Sequence, residues 1–355
     1  MSTIASNFKV TKVSESRLTE VDLKNIPFGR VFTDHMFIAH YAEGQWKDME
    51  IKKLENFSLH PSNLALHYGQ SIFEGMKASK NEKGNPLLFR PDEHIKRLNR
   101  SAERMCMPLF PEDVFVEALT ELVKIDKDWI PDHPGSSLYI RPLMFATDEF
   151  LGVAPSETFI FVILLLPVGP YYDKPVKLIA DPTYVRAVKG GTGEAKTAGN
   201  YAASLYPSKV AKENGFDQIL WLDGVEKKFV QEVGTMNIFF VFDDRIVTPK
   251  ADGAILKGIT RKSFIELLKD KGFIVEERPV EIQEVMDKGK SGELKEVFGS
   301  GTAAVATTIT QINYLDQVIK FDPDKAEIAP WLKENIEDMR NGRKKDPYGW
   351  VLEVM

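Results

Sequence analysis

A cluster of prolines and a glycine halfway along the chain limits its architecture more than any other feature. Pro167, Gly169, Pro170 and Pro175 lie close together in a chain of 355 residues. Proline and glycine interrupt regular structure, and a chain of this length exceeds what one hydrophobic core usually organises. We therefore predict two domains, residues 1–172 and 173–355, joined at this cluster.

Strand-like and helical patterns alternate on both sides of the cluster, which is typical of α/β domains. In the first half, strands are predicted at 31–40, 138–144 and 159–168, with helices at 92–105 and 112–125. In the second half, strands are predicted at 176–180, 218–222, 237–242, 274–280 and 295–298, with helices at 200–214 and 261–271. Asp92 is placed to cap the first helix, and Gly215 and Gly272 to follow the ends of the last two.

Charge and hydropathy argue against two kinds of partner. The chain has 46 basic and 52 acidic residues and no basic stripe with interleaved aromatic residues, so we expect no nucleic-acid partner. The longest apolar run, 159–168, is far shorter than the about 20 residues of a membrane-spanning helix. It is predicted to be a buried strand, and we expect no membrane association.

The cysteine, the histidines and the first residues bear on environment. Cys106 is the single cysteine, which fits a reducing compartment, and its neighbours Met105 and Met107 predict a buried position. The six histidines, among them His60 and His67, lack the spacing of metal ligands, so no metal is expected. The first residues show neither an apolar signal segment nor an arginine-rich presequence, and we predict a cytoplasmic protein.

One lysine lies in a glycine-rich segment that precedes a predicted helix. Gly190, Gly191, Gly193 and Gly199 surround Lys196, and glycines allow the backbone to approach a ligand closely. The segment nearly matches the phosphate loop of nucleotide-binding proteins, but alanine replaces the last glycine and no strand is predicted directly before it. A nucleotide-binding protein is therefore disfavoured. A solvated lysine in a glycine turn stays open at this point.

Two further glycine turns are candidates for binding a phosphate. Gly258 precedes a helical pattern whose first amides are free to bind an anion, and Thr260 is placed to cap that helix. Gly299 and Gly301 follow a short strand and offer backbone amides beside the Thr302 hydroxyl. Two such turns can hold one phosphate, although a plain capped helix explains the first equally well.

A carboxylate completes the set. Glu232 precedes Gly234 and an apolar strand, where taken alone it reads as an exposed hairpin residue. Together with a lysine and two phosphate turns, an acid supplies what pyridoxal chemistry requires, because it keeps the ring nitrogen protonated. Lys196 suits the imine, Glu232 the ring nitrogen and Tyr201 the ring oxygen.

With these motifs the sequence resembles the branched-chain-amino-acid aminotransferases, members of the pyridoxal-phosphate fold type IV family. The resemblance runs in order over most of the chain. It is carried by the segments 73–78, 89–91 with Arg97, 138–142, 199–201, 232–237 and 298–303. It implies two α/β (α+β) domains like those of D-amino-acid aminotransferases: a small N-terminal domain, a larger barrel-like C-terminal one, and pyridoxal 5'-phosphate at their junction.

The resemblance also implies a role for each matching residue of the cofactor site. Lys196 carries the internal aldimine and moves the proton, Glu232 meets the pyridine nitrogen, and Tyr201 meets the ring hydroxyl. The phosphate is held by Arg97, Ile259, Thr260 and Thr302. The implied reaction is a ping-pong amino transfer from leucine, isoleucine or valine to 2-oxoglutarate, giving the branched 2-oxo acid and glutamate.

The implied substrate pocket is mostly aromatic. Arg141 helps it admit the side-chain carboxylate of glutamate, and Val153 belongs to a loop lent by the neighbouring subunit, which implies a homodimer. The remaining pocket residues are Phe28, Tyr68, Phe73, Tyr139, Tyr171, Thr235 and Ala303. In mammalian relatives a Cys-x-x-Cys follows the last glycine turn, whereas this chain has Ala304 to Thr307, so no thiol switch is expected there.

Two related activities are alternatives within the same fold. D-amino-acid aminotransferases and aminodeoxychorismate lyases share the lysine and the glutamate. They are generally shorter and lack the Glu-Val-Gly-Thr-Met-Asn context found here at 232–237. The resemblance therefore favours a branched-chain substrate.

Overall fold

The computed structural model describes residues 8–169 and 174–355. The chain divides into two compact units, Met1–Tyr171 together with Asp338–Met355, and Tyr172–Glu337. This differs from the predicted division in two ways. Residues 338–355 belong to the first unit, because a strand at Val351–Glu353 pairs with Pro86–Phe89, and the first unit rather than the second holds more residues.

The strands are numbered in chain order. Those up to Val168 are β1 (Lys9–Val10), β2 (His35–Ala42), β3 (Gln45–Lys53), β4 (Ser71–Phe73), β5 (Met76–Lys80), β6 (Pro86–Phe89), β7 (Ser137–Ala146) and β8 (Phe159–Val168). The others are β9 (Val176–Ala180), β10 (Gln218–Leu222), β11 (Val230–Val233), β12 (Asn237–Phe242), β13 (Ile246–Pro249), β14 (Val275–Arg278), β15 (Leu294–Gly301), β16 (Val305–Tyr314), β17 (Gln317–Lys320) and β18 (Val351–Glu353).

The helices are numbered in the same way. They are α1 (Leu64–Tyr68), α2 (Pro91–Arg104), α3 (Glu112–Ile125), α4 (Ala198–Ala202), α5 (Leu205–Glu213), α6 (Ile259–Asp270), α7 (Ile282–Ser291) and α8 (Ile328–Arg340). Among the described residues no helix is both long and apolar enough to cross a membrane.

The first unit is built on one sheet in the order β1-β3-β2-β8-β7-β5-β6-β18, with β4 beside β7. Its central strand β8 pairs antiparallel with both β2 and β7. The strand is apolar along its whole length because it lies inside the sheet with neighbours on both sides. Helix α3 packs into the same core through Phe115, Leu119 and Leu122, which recur at helical spacing.

The second unit is built on a sheet in the order β11-β10-β9-β16-β15-β12-β13-β14, with β17 beside β16. Parallel pairs, β9 with β10 and with β16, occur beside antiparallel ones. The ladder between β12 and β15 sets Asn237 opposite Ser300. Through this register the strand after Glu232 comes next to the glycine turn at 299–301.

Five predicted elements agree with the structure to the residue, namely β8, β9, β10, β12 and α3. Gly215 and Gly272 adopt the left-handed backbone directly after the ends of α5 and α6, as predicted. Strand β14 is shorter than predicted, and β15 continues through the glycine turn to Gly301.

Four sequence predictions were wrong in detail. The helix expected at 200–214 is divided into α4 and α5, because Pro207 lacks an amide to continue a helix and occupies the first turn of a new one. Asp92 lies in the first turn of α2, which begins at Pro91 after the left-handed Arg90. Thr260 lies inside α6, whose cap is the extended Gly258. Cys106 is exposed, because the chain turns there with φ 53°.

Candidate active site

The segment before α4 holds Lys196 in a fixed loop. The side-chain amide of Asn200, in the first turn of α4, donates to the carbonyls of Thr192 and Ala195, each at 2.8 Å. The Thr192 hydroxyl donates back to the amide oxygen of Asn200 at 2.7 Å. These bonds close the loop on itself, and the lysine extends from its end.

Lys196 meets a phenol on the next helical turn. Its Nζ donates to the Tyr201 hydroxyl oxygen at 2.7 Å. Tyr201 lies five residues further on in α4, so the short helix sets the distance between the two groups. The structure thus brings together the predicted imine lysine and the predicted partner of the ring oxygen.

Glu232 is a buried acid rather than an exposed hairpin residue. It lies on β11 with 4% of its surface exposed. Its Oε1 accepts from the Asn237 side-chain amide at 2.9 Å, and its Oε2 lies 2.7 Å from Nε of Arg186. Burial raises the pKa of Glu232, and the charge of Arg186 opposes that shift. The carboxylate is therefore held between an amide and a guanidinium.

These groups share a pocket of about 330 Å³. It contains three of the predicted site residues, Tyr201, Glu232 and Thr235. The other lining residues are Arg186, Asn200, Ser204, Gly234 and Leu256. The pocket combines a phenol, a carboxylate and a guanidinium with an apolar wall.

The two predicted phosphate turns meet at Asn237. A side chain at Gly258 would overlap the Asn237 amide oxygen, so the start of α6 lies against this residue. On its other side, Asn237 pairs with Ser300 across β12 and β15. Ile259 and Thr260 begin α6, and Thr302 and Ala303 follow β15 directly.

This region fits an anion. The first amides of a helix such as α6 have no partner within the helix and favour negative charge. The Ser300 hydroxyl is buried and has no hydrogen-bond partner in the described part of the chain. A phosphate beside α6 and β15 would satisfy both kinds of donor.

Arg97, predicted to bind the same phosphate, lies in the first unit within a buried charged group. Its Nε and one terminal nitrogen donate to the two Glu74 oxygens at 2.7 and 2.8 Å. Nδ1 of His94 lies 2.7 Å from the same carboxylate. Burial alone would raise the pKa of Glu74, but Arg97 and His94 outweigh it and hold that pKa well below its usual range. Glu74 thereby fixes the orientation of Arg97.

Four predicted substrate residues form one aromatic group in the first unit. Phe28 and Tyr139 contact edge to face at 5.5 Å between ring centres, and the guanidinium of Arg141 lies 4.7 Å above the Phe73 ring. Arg141 also donates to the Tyr139 hydroxyl at 3.3 Å. Gly75 allows this arrangement, since any side chain there would overlap the tyrosine hydroxyl.

The remaining predicted substrate residues are not part of that group. Tyr68 ends α1 and is half exposed, and Val153 is 90% exposed in the loop before β8. Thr235 lines the pocket of the second unit, and Ala303 follows β15. Tyr171 lies outside the described residues.

Three side chains that organise the site were absent from the sequence predictions as functional residues. They are Arg186, Asn237 and Glu74. Arg186 had one detectable signal, an arginine among the apolar residues Val185, Ala187 and Val188, which is typical of a buried charge. Glu74 and Asn237 were noted only as parts of motifs, since their partners are distant in sequence.

The fold and site define a class of protein. Residues 71–312 match the model of the amino-transferase class IV family. The solved branched-chain amino acid aminotransferase from Escherichia coli superposes with a TM-score of 0.72 at 26% identity, covering 90% of this chain and 99% of that one. A branched-chain amino acid aminotransferase from T.th., solved with pyridoxamine 5'-phosphate, gives 0.73 at 28% identity, covering 89% and 98%.

A curated relative narrows the class. The branched-chain-amino-acid aminotransferase 2 of Bacillus subtilis is 48% identical over 97% of this chain and 96% of its own length. The chain belongs to the branched-chain-amino-acid aminotransferases of class IV. The predicted family and fold type are thereby confirmed.

Proposed function

We propose that this enzyme moves the amino group of leucine, isoleucine or valine onto 2-oxoglutarate, giving the branched 2-oxo acid and glutamate, with pyridoxal 5'-phosphate as cofactor. The observation that carries the proposal is the pairing of Lys196 with Tyr201 at 2.7 Å beside the buried acid Glu232. A lysine amine, a phenol and a buried acid in one pocket form the donor set that this cofactor needs.

The cofactor supplies an electron sink for charge that develops at the α-carbon of the substrate. Glu232 would hold the ring nitrogen protonated, and Tyr201 would meet the ring hydroxyl. Ile259, Thr260 and Thr302 would hold the phosphate together with Arg97. That the cofactor lies where the two units join stays a prediction.

The residues of this chain then have distinct tasks. Lys196 removes and returns the proton at the α-carbon, which is general acid–base catalysis by a positioned amine. The Tyr201 hydroxyl, hydrogen-bonded to that amine, orients it and tunes its basicity. Glu232 stays ionised because Arg186 lies against it, despite its burial.

The aromatic group of the first unit supports the choice of substrate. Phe28, Phe73 and Tyr139 offer apolar surface for branched side chains. Such surfaces discriminate one methylene by only about 1–3 kcal/mol, so leucine, isoleucine and valine are all expected to react. Arg141 would receive the side-chain carboxylate of glutamate. Its Nε is buried and has no hydrogen-bond partner in the described ranges.

A homodimer is part of the proposal. The loop before β8 exposes Leu151 and Val153, two apolar side chains that soluble surfaces usually cover. In the proposed dimer this loop reaches the active site of the neighbouring subunit. A cytoplasmic location also stays a prediction.

An absorption spectrum of the purified protein tests the proposal. We expect visible absorption from the bound cofactor, lost on adding leucine and restored by 2-oxoglutarate. Lys196→Ala is expected to abolish turnover, since alanine has no amine to move the proton. Sustained transamination by that variant would exclude Lys196 as the catalytic residue.

The same spectrum separates the alternatives. Loss of the visible absorption with D-alanine but not with leucine would favour a D-amino-acid aminotransferase. A colourless protein that binds ATP would favour a nucleotide-binding loop. The structure gives that reading no support, because the named strand preceding the lysine loop, β9, ends ten residues before Gly190, at Ala180.

A further inference from the structure

Arg186 is a buried charged residue with no task of its own in the proposed reaction. Only 9% of its side chain is exposed, and its Nε lies 2.7 Å from Oε2 of Glu232. A terminal nitrogen of the same guanidinium donates to the carbonyl oxygens of Gly193, at 3.1 Å, and of Ala254. One side chain thus binds three separate segments.

Each of the three segments carries a different part of the site. Glu232 is the acid on β11, and Gly193 precedes Lys196 by three residues. Ala254 lies in the loop that leads through Gly258 into α6. The contact is close, since a side chain at Gly193 would overlap the Ala254 carbonyl.

The electrostatics of Glu232 depend on this arginine. Burial raises the pKa of Glu232, and Arg186 is the strongest of the charges that oppose it. Arg261, a second buried arginine in this unit, is paired with Glu277 at 2.9 Å instead. Asn237 holds the other carboxylate oxygen but carries no charge. A buried carboxylate without its cation is strongly unfavourable.

We propose that Arg186 is a positioning residue that fixes the carboxylate of Glu232 and holds the lysine loop against the segment leading into α6. The acid, the lysine and the phosphate turn then keep their separations before any cofactor binds. The inference rests on the proposed function, and it assigns Arg186 a role in cofactor binding that acts through Glu232 and the two loops.

The test is a titration of the apoenzyme with pyridoxal 5'-phosphate, following visible absorption. Arg186→Met keeps the volume and removes the charge, and we expect its Kd to rise about 10- to 100-fold, as when residues that orient metal ligands are removed. The absorption band of the bound cofactor should also shift. Arg186→Lys keeps the charge without the planar fork and should fall between Met and the native enzyme.

Arg278→Met is the matched control. Arg278 also pairs with a carboxylate, Glu284, and donates to a backbone carbonyl, that of Pro279, but it lies outside the pocket. This control is expected to lower the thermal unfolding temperature of the apoenzyme and to leave the cofactor Kd and band unchanged. A role for Arg186 in stability alone would give the same pattern for Arg186→Met and would overturn the inference.

A double variant shows whether Arg186 acts through the acid. In a Glu232→Gln background, Arg186→Met is expected to weaken cofactor binding by a much smaller factor than in the native enzyme. An equal factor in both backgrounds would overturn the role through Glu232. If the native enzyme itself fails to bind the cofactor or to react with leucine, the proposed function fails, which is a distinct outcome.

Discussion

At the scale of single residues, the site depends on buried charges that hold one another. Glu232 lies between Arg186 and Asn237, and Glu74 lies between Arg97 and His94. Each carboxylate is removed from water, so each needs its partners to remain ionised. The groups expected to meet the cofactor are thereby oriented before it arrives.

Glu74→Gln tests this in the first unit. The variant leaves Arg97 buried without its anion, which costs about 3–5 kcal/mol of unfolding free energy at neutral pH. The partners hold the folded-state pKa of Glu74 below its ordinary value of 4.5. The stabilisation is therefore complete above that value, and each pH unit below it removes about 1.4 kcal/mol. Denaturant unfolding of both proteins at pH 7 and pH 3 measures the difference.

Glu103→Gln is the control for this prediction, since Glu103 lies exposed on α2 beside the same helix turns. It should change the unfolding free energy by less than about 0.5 kcal/mol at either pH. A difference between Glu74→Gln and the native protein that stays constant from pH 7 to pH 3 would contradict the ionised state of Glu74.

Sequence could identify the reactive residues better than their supports. Lys196, Tyr201 and Glu232 lie in local motifs, and the structure places all three at one pocket or its edge. Arg186 and Glu74 act through partners far along the chain, which no local pattern encodes. Cys106 was misjudged because its methionine neighbours indicate burial, whereas the left-handed turn exposes it.

At the scale of elements, prediction succeeded where periodicity is strong and failed at element ends. The run 159–168 and the pattern 112–125 bury continuous apolar surface, so their bounds follow from hydropathy. The start of α6 depends instead on the extended backbone of Gly258, and the division of α4 from α5 depends on Pro207. Glycine and proline set such boundaries through the backbone rather than through hydropathy.

Gly258→Ala tests the junction of α6 with β12. The added methyl group overlaps the Asn237 amide oxygen, so the amide that donates to Glu232 must move or α6 must shift. We expect cofactor affinity to fall about tenfold or more, with a loss of about 1–3 kcal/mol of stability from overpacking. Titration of the apoenzyme with the cofactor and denaturant unfolding measure the two effects.

Gly199→Ala is the matched control in the same unit. Nothing lies within 4 Å of the added methyl group, and the residue does not adopt a left-handed backbone. Its stability should equal or slightly exceed that of the native enzyme, because alanine favours the helix. Equal cofactor affinities for the two variants would show that the start of α6 tolerates the displacement.

At the scale of the whole molecule, Val153→Asp tests the proposed dimer. Because this side chain is 90% exposed within its own chain, the substitution removes no internal packing. In a dimer whose loop enters the neighbouring site, a carboxylate there would oppose an apolar substrate. We expect the KM for leucine to rise about tenfold or more. Steady-state kinetics and light scattering measure activity and mass together.

Val225→Asp controls for the added charge, since Val225 is 83% exposed in the second unit. It should leave the KM and the mass unchanged. A native protein that scatters as a monomer, or a Val153→Asp variant with native kinetics, would contradict the lent loop.

The return of residues 338–355 to the first unit has a consequence for how the protein is made. β18 completes the first sheet only after the intervening 172–337 have been synthesised. At about 5–20 residues per second, a ribosome needs roughly 10–30 s for that stretch. During this interval β6 is an open edge on the nascent chain, available to chaperones or to a neighbouring polypeptide. The second unit, continuous in sequence, has no such wait.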